Sequence, residues 1–156
     1  MLIQLTLAAV MAVVMAFVHL VGLAILTRIL RFRARILRGF RILPLALLYG
    51  ATVGTFVIHA VEIWLYAILY LRLDAFDQFE QALYFSVVTY STLGYGDLLM
   101  PHQWRVLGAS EAPVGIIMLG WSTAFLISLL SRLKLVGEDW LAPSGDDPSS
   151  TSRVKP

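Results

Sequence analysis

The chain contains no cysteine, so it builds no disulfide framework and offers no thiol nucleophile or thiolate ligand. That absence leaves the compartment open. Charge is also scarce. Only 14% of the 156 residues are Asp, Glu, Lys or Arg, where a soluble domain carries roughly 25%. Hydrophobic residues make up 59%, and the mean hydropathy is +0.80. One domain's length of chain with so few charges must use lipid as its solvent. Six of the twelve basic residues fall between Arg28 and Arg41. A basic cluster beside an apolar run is a topology signal before it is a nucleic-acid site, so no nucleic-acid partner is expected. No catalytic or metal-ligand constellation stands out, so neither enzymatic activity nor a resident cofactor is expected.

What the chain has instead is three long apolar runs. Met1–Thr27 holds His19 as its only ionisable side chain; Ile42–Leu71 is interrupted only by His59 and Glu62, and Val106–Ser131 only by Glu111. Each exceeds the roughly 20 residues that a membrane helix needs. A span in lipid must satisfy its own backbone, so all three are expected to be helices, at 1–27, 42–71 and 105–133. The first run could be a secretory signal peptide, but it lacks a basic start and a small-x-small cleavage site, and its apolar stretch is too long.

Segment 28–41 carries Arg28, Arg31, Arg33, Arg35, Arg38 and Arg41. Arg35, Arg38 and Arg41 recur every third residue, as gating charges do, yet no four-helix sensor surrounds them. An interfacial connector with Ile29, Phe32, Ile36 and Phe40 toward lipid is the simpler reading. Arg132 and Lys134 follow the third run. Positive residues mark the cytoplasmic side. Between the second and third runs, Arg72 and Arg105 face four acidic residues, Asp74, Asp77, Glu80 and Asp97. That stretch is expected outside, with the N-terminus outside and the C-terminus in the cytoplasm of a multi-pass cell-membrane protein. The Pro/Ser/Asp-rich tail, 134–156, is expected to be disordered. No separate ligand-binding domain is expected.

Within the outer stretch, Asp77-Gln78-Phe79-Glu80 has capping-box spacing with Asp77 at the cap. No Gly or Pro interrupts Gln78–Ser91, so a helix is expected over 78–91. It is too short to span and must be re-entrant. Re-entrant backbone survives at membrane depth only when buried in protein or facing water. It leads into Thr92-Leu93-Gly94-Tyr95-Gly96-Asp97.

This arrangement resembles the pore of potassium channels, whose usual filter reads TVGYGD; Leu93 replaces Val. The likeness covers roughly Leu45–Leu133 and is strongest to small bacterial channels with one pore unit, here with an extra N-terminal helix. It implies an all-α membrane protein with a re-entrant pore helix and filter loop. It also implies passive potassium conduction, with potassium held by backbone carbonyls of Thr92, Leu93, Gly94 and Tyr95 and the Thr92 hydroxyl at the inner end. Gly94 and Gly96 would supply the positive φ that this needs. Tyr95 would pack on the pore helix. Tyr84 and Phe85 stand where the family often has a Trp pair and would form an aromatic cuff, with Tyr84 within reach of Asp97. Val88 replaces a carboxylate that some relatives carry. Ile116, Leu119, Thr123, Ala124 and Ile127 would line the inner cavity. One filter strand per chain implies a cyclic homotetramer in the bilayer. Its acidic outer mouth would concentrate cations.

Pro113 removes a helical hydrogen bond, so a kink is expected there, and Gly115 stands near the family's inner-helix hinge. Glu111 is expected to brace the pore helix from behind, through Thr89, Tyr90 or Ser91. His59 and Glu62 share a helix face and are expected to join that network or an intersubunit contact. His19 is expected in packing or a helix–helix hydrogen bond. Trp104 is expected to anchor at the outer interface, near His102. Two other readings stay open: a non-selective cation channel, and a non-conducting sensor or assembly subunit. A transporter would need internal repeats.

Overall fold

The computed structural model describes residues 1–36 and 42–133. Four α-helices follow in order: α1 (Leu2–Ile36), α2 (Leu43–Arg72), α3 (Phe79–Tyr90) and α4 (Arg105–Arg132), the last preceded by a 3-10 turn at His102–Trp104. The helices containing α1, α2 and α4 are long and apolar enough to cross a membrane. At 12 residues, α3 is about 18 Å long at 1.5 Å per residue, well short of a bilayer. The fold is all-α among the described residues.

Two boundaries differ from the sequence expectation. The first helix does not stop at Thr27 but continues through Arg28, Arg31, Arg33 and Arg35 to Ile36. Nothing in Arg28–Ile36 breaks a helix, and arginine is a good helix former. The expected connector is therefore helical as far as Ile36; Arg38, Arg41 and the tail from 134 lie outside the described residues. The cap of α3 is Gln78, not Asp77, and it makes no side-chain cap bond. Asp77 and Glu80 still place negative charge at the positive end of α3.

Helix starts and stops follow local chemistry. Pro44 sits in the first turn of α2, where its missing N–H removes no helical bond. Asp74, just past the end of α2, has φ 49°, a left-handed turn that Asp tolerates better than most residues. The Trp104 indole N–H then donates to the Leu73 carbonyl at 3.1 Å, tying the end of α2 to the start of α4.

Helix α1 runs alongside α4 in the same direction, with α2 antiparallel to both. At one end the Gln4 Oε1 accepts the Val106 N–H at 3.0 Å, satisfying one of the orphan donors of α4. At the other end Leu26, Leu30, Leu47, Ala51 and Ile58 form a core cluster flanked by Phe125, Leu126 and Leu129. The α1–α2 crossing is close because two glycines oppose two aliphatic side chains. A Cβ on Gly22 would lie 2.8 Å from Ile58 Cγ1, and one on Gly54 would collide with Leu26 Cδ1. Small residues at such crossings let membrane helices approach through packing alone.

Candidate ion-conduction site

Helix α3 ends at Tyr90 and the chain turns at once into the glycine-containing loop. Its backbone is tied to the end of α3: Thr92 N–H donates to the Thr89 carbonyl at 2.9 Å, and the N–H groups of Leu93 and Gly94 share the Val88 carbonyl at 3.0 and 3.2 Å. Val88 is buried behind the loop. Positive φ falls on every second residue: Thr92 (60°), Gly94 (58°) and Gly96 (75°). The two glycines take this freely. Thr92 does not, because a β-branched side chain at positive φ is a conformational outlier. Sequence reasoning anticipated the glycines and missed the threonine, since nothing in its side chain advertises a left-handed backbone.

The Tyr84 hydroxyl donates to Asp97 Oδ2 at 2.6 Å, and the Leu98 N–H donates to Asp97 Oδ1 at 3.1 Å. The Tyr84 bond holds the Asp97 carboxyl below the ordinary carboxylate range, and the same bond raises the Tyr84 phenol. Phe85 does not join Tyr84 at the loop. It packs into an aromatic cluster with Tyr70 and Phe76, ring centroids 5.6 and 5.2 Å away. Tyr84 and Phe85 are consecutive, about 100° apart around a helix, so the two rings cannot face the same way. Tyr95 is 66% exposed, so its own α3 does not cover it.

Two buried carboxylates stand behind α3. Glu111, on α4, accepts from Ser86 Oγ on α3 and from Tyr70 Oη on α2. It thus joins three helices, but through Ser86 and Tyr70 instead of Thr89, Tyr90 or Ser91. Ser86 lies a full turn earlier on α3 than the expected partners, level with Glu111. Glu62 forms a second, separate cluster. Its Oε1 lies 2.9 Å from His19 Nδ1, its Oε2 lies 3.1 Å from His59 Nδ1, and the Tyr90 hydroxyl donates to Oε2. The Tyr90 Oη is also 2.9 Å from His59 Nδ1. His59 and Glu62 therefore do not join the Glu111 network; their partners are His19 and Tyr90. The polar partner of His19 lies on a helix 43 residues away in sequence, a pairing that periodicity within one run cannot reveal.

Pro113 sits inside α4, which runs from Arg105 to Arg132. Gly115 packs directly on the base of the loop, where an added Cβ would collide with the Tyr90 carbonyl oxygen; at Gly120 the space is open. A close approach of backbone to backbone is therefore reason enough for glycine at 115. Ile116, Leu119, Thr123, Ala124 and Ile127 are all exposed in the single chain, while Met118 and Ser122 beside them are buried. His102 is exposed, and Trp104 is partly buried against the end of α2.

No curated protein and no solved structure matches the chain. A family model described as an ion channel matches residues 46–132. That segment takes in nearly all of α2, then α3, the loop and α4, and leaves α1 outside. With three helices able to cross a bilayer and more than half its length matched, this is a multi-pass membrane protein that belongs to the ion channel family.

Proposed function

We propose that four copies of this chain assemble around one axis as a passive potassium-selective channel, with Thr92–Gly96 as the filter. The observation that carries this reading is the φ sign alternating along Thr92-Leu93-Gly94-Tyr95-Gly96. In an ordinary strand successive carbonyls point to opposite sides. Alternating left- and right-handed residues turns them toward a common side, with the N–H groups on the other. A row of such oxygens can replace the water around a dehydrated cation. One row cannot encircle an ion, and four around an axis can, which is why the reading requires a cyclic assembly.

The rest of the site has roles consistent with this. Asp97 and Tyr84 hold the outer end of the loop, and Glu111 braces α3. The acidic stretch Arg72–Arg105 faces the outside and draws cations to the mouth. The uncovered face of α4 lines the cavity beneath. Orientation follows from the arginines, which favour the cytoplasmic side.

The test is potassium flux from vesicles containing the purified full chain, with sodium as the comparison ion and barium as a blocker. Barium-sensitive potassium flux well above sodium flux is expected. Gly94→Ala should abolish it. Among the described residues of one chain no atom lies within 4 Å of an added Cβ there, and the left-handed backbone costs a non-glycine residue about 1–2 kcal/mol. A reversal potential indifferent to the potassium-to-sodium ratio would make the pore non-selective. Folded oligomers without flux would make the chain a non-conducting subunit.

A further inference from the structure

We propose that His19, His59 and Glu62, together with the Tyr90 hydroxyl, form a binding site for one divalent transition-metal ion of the zinc class. The filter does not use this cluster as ligand, and all four side chains are buried within the chain.

The donor atoms already converge. One ligand atom from each of His19, His59 and Glu62 lies within 4.8 Å of the other two, and the closest pairs are His19 Nδ1–Glu62 Oε1 at 2.9 Å and His59 Nδ1–Glu62 Oε2 at 3.1 Å. The Tyr90 oxygen adds a fourth donor 2.9 Å from His59 Nδ1. A tetrahedral ion with bonds of about 2.0–2.2 Å holds its ligands roughly 3.3 Å apart. Most of these contacts need to open by only a few tenths of an ångström to admit one.

The donor set selects the metal. Two imidazoles with one carboxylate and one hydroxyl suit zinc and its first-row neighbours. Calcium and magnesium want six or more oxygens and few nitrogens. Charge points the same way. A Glu62 carboxylate buried in a dry interior is costly without a countercharge, and a divalent ion would supply one. Each Nδ1 faces the acceptor-only Glu62 carboxylate, so in the empty site it carries the ring proton there. The outer nitrogens, His19 Nε2 and His59 Nε2, are buried without a partner among the described residues, so each is open to take the ring proton when an ion displaces it from Nδ1.

Three elements contribute: α1 through His19, α2 through His59 and Glu62, and α3 through Tyr90. An ion here would fasten α1, which the family match leaves outside, to the last residue of α3. That residue is two positions before Thr92.

The experiment uses the full chain in detergent, stripped with chelator, incubated with Zn²⁺ or Co²⁺, freed of excess by gel filtration and counted by elemental analysis. One ion per chain is expected, with the visible d–d bands of tetrahedral Co²⁺. His19→Gln and Glu62→Gln should each weaken retention at least about a hundredfold, the upper end of what loss of an outer-shell partner alone costs. His102→Gln, at an exposed position, should change nothing. Wild-type protein that retains no more metal than His19→Gln, or variants that bind as wild type, would overturn the proposal. If His19→Gln elutes abnormally, the wild-type Co²⁺ spectrum decides: tetrahedral bands support the site and their absence overturns it. Metal content is read without any flux measurement, so the outcome is independent of whether the pore selects potassium.

Discussion

At Thr92 a β-branched residue is held at φ 60°, a conformation that costs of order 1–3 kcal/mol and persists only when surroundings impose it. The hydrogen bonds from Thr92, Leu93 and Gly94 to the end of α3 impose it here. Gly115 is the counterpart on α4. Because its missing side chain makes room for the Tyr90 carbonyl, Gly115→Ala should destabilise the folded protein by about 1–3 kcal/mol through overpacking, seen as a lower melting temperature in detergent. Gly120→Ala, into open space within α4, should leave it the same or raise it slightly, since alanine favours a helix over glycine by up to about 1 kcal/mol. The reverse ranking would point to a hinge and away from packing. Asp97 gives a prediction in pH. Its carboxyl is lowered from 3.8 by the Tyr84 bond, so its contribution is complete above 3.8 and lost only as pH falls through the lower folded value. Flux measured from neutral pH down to about 5 should therefore show no titration step that Asp97→Asn removes. The same substitution should reduce flux about two- to fivefold at low ionic strength and hardly at high salt, because it removes mouth charge that salt otherwise screens. A salt-independent loss would show that holding the loop through Tyr84 requires the carboxylate charge, which the amide oxygen of Asn cannot replace.

Helix α3 is held from behind by two hydroxyl–carboxylate contacts: Ser86 with Glu111 near its middle, and Tyr90 with Glu62 at its end. Buried, fully partnered contacts of this kind couple strongly. A double-mutant cycle on Ser86→Ala and Glu111→Gln, read by thermal unfolding, should give a coupling of about 0.5–3 kcal/mol. Ser86→Ala with Glu62→Gln should couple less, because among the described residues no side-chain hydrogen bond joins the two clusters and Ser86 reaches the Glu62 helix only at the Ile63 carbonyl, 3.0 Å away. Equal coupling in both cycles would mean one shared network. The helices were largely legible in the sequence, because length and hydropathy alone identify spans, and an uninterrupted 12-residue run between spans has few other fates. The partners were less legible. Glu111 could be placed behind α3, yet Ser86 rather than Thr89 depends on rotation and rise that only packing sets. His19 was visible as an oddity in an apolar run, but its bond to Glu62 follows from where Gly22 and Gly54 let α1 and α2 touch.

Across the whole molecule, charge and exposure divide in the same direction. The arginine-rich end of α1 lies beside the end of α4, with Arg31 and Arg132 bordering one crevice of about 360 Å³. Asp74, Asp77, Glu80 and Asp97 lie at the opposite end, between the end of α2 and the start of α4. Along α4, Met118 and Ser122 are buried against the chain's own helices, while Ile116, Thr123 and Ile127 are exposed among the described residues. An apolar strip left bare next to a polar loop is what a fourfold assembly would turn into a cavity wall, and lipid would cover the same strip on a lone chain. The absence of native cysteine makes the two cases separable. A thiol placed at 123 would face water in the assembly and hydrocarbon in the monomer, and charged thiol reagents react only where water carries them to a thiolate. Thr123→Cys should therefore be modified by a membrane-impermeant reagent, with potassium flux falling severalfold as four charged adducts crowd one cavity. Met118→Cys, on the buried face at 3% exposure, should resist modification and keep its flux. Modification at 118 with protection at 123 would mean that α4 turns its other face to the axis, and the cavity assignment would have to rotate with it.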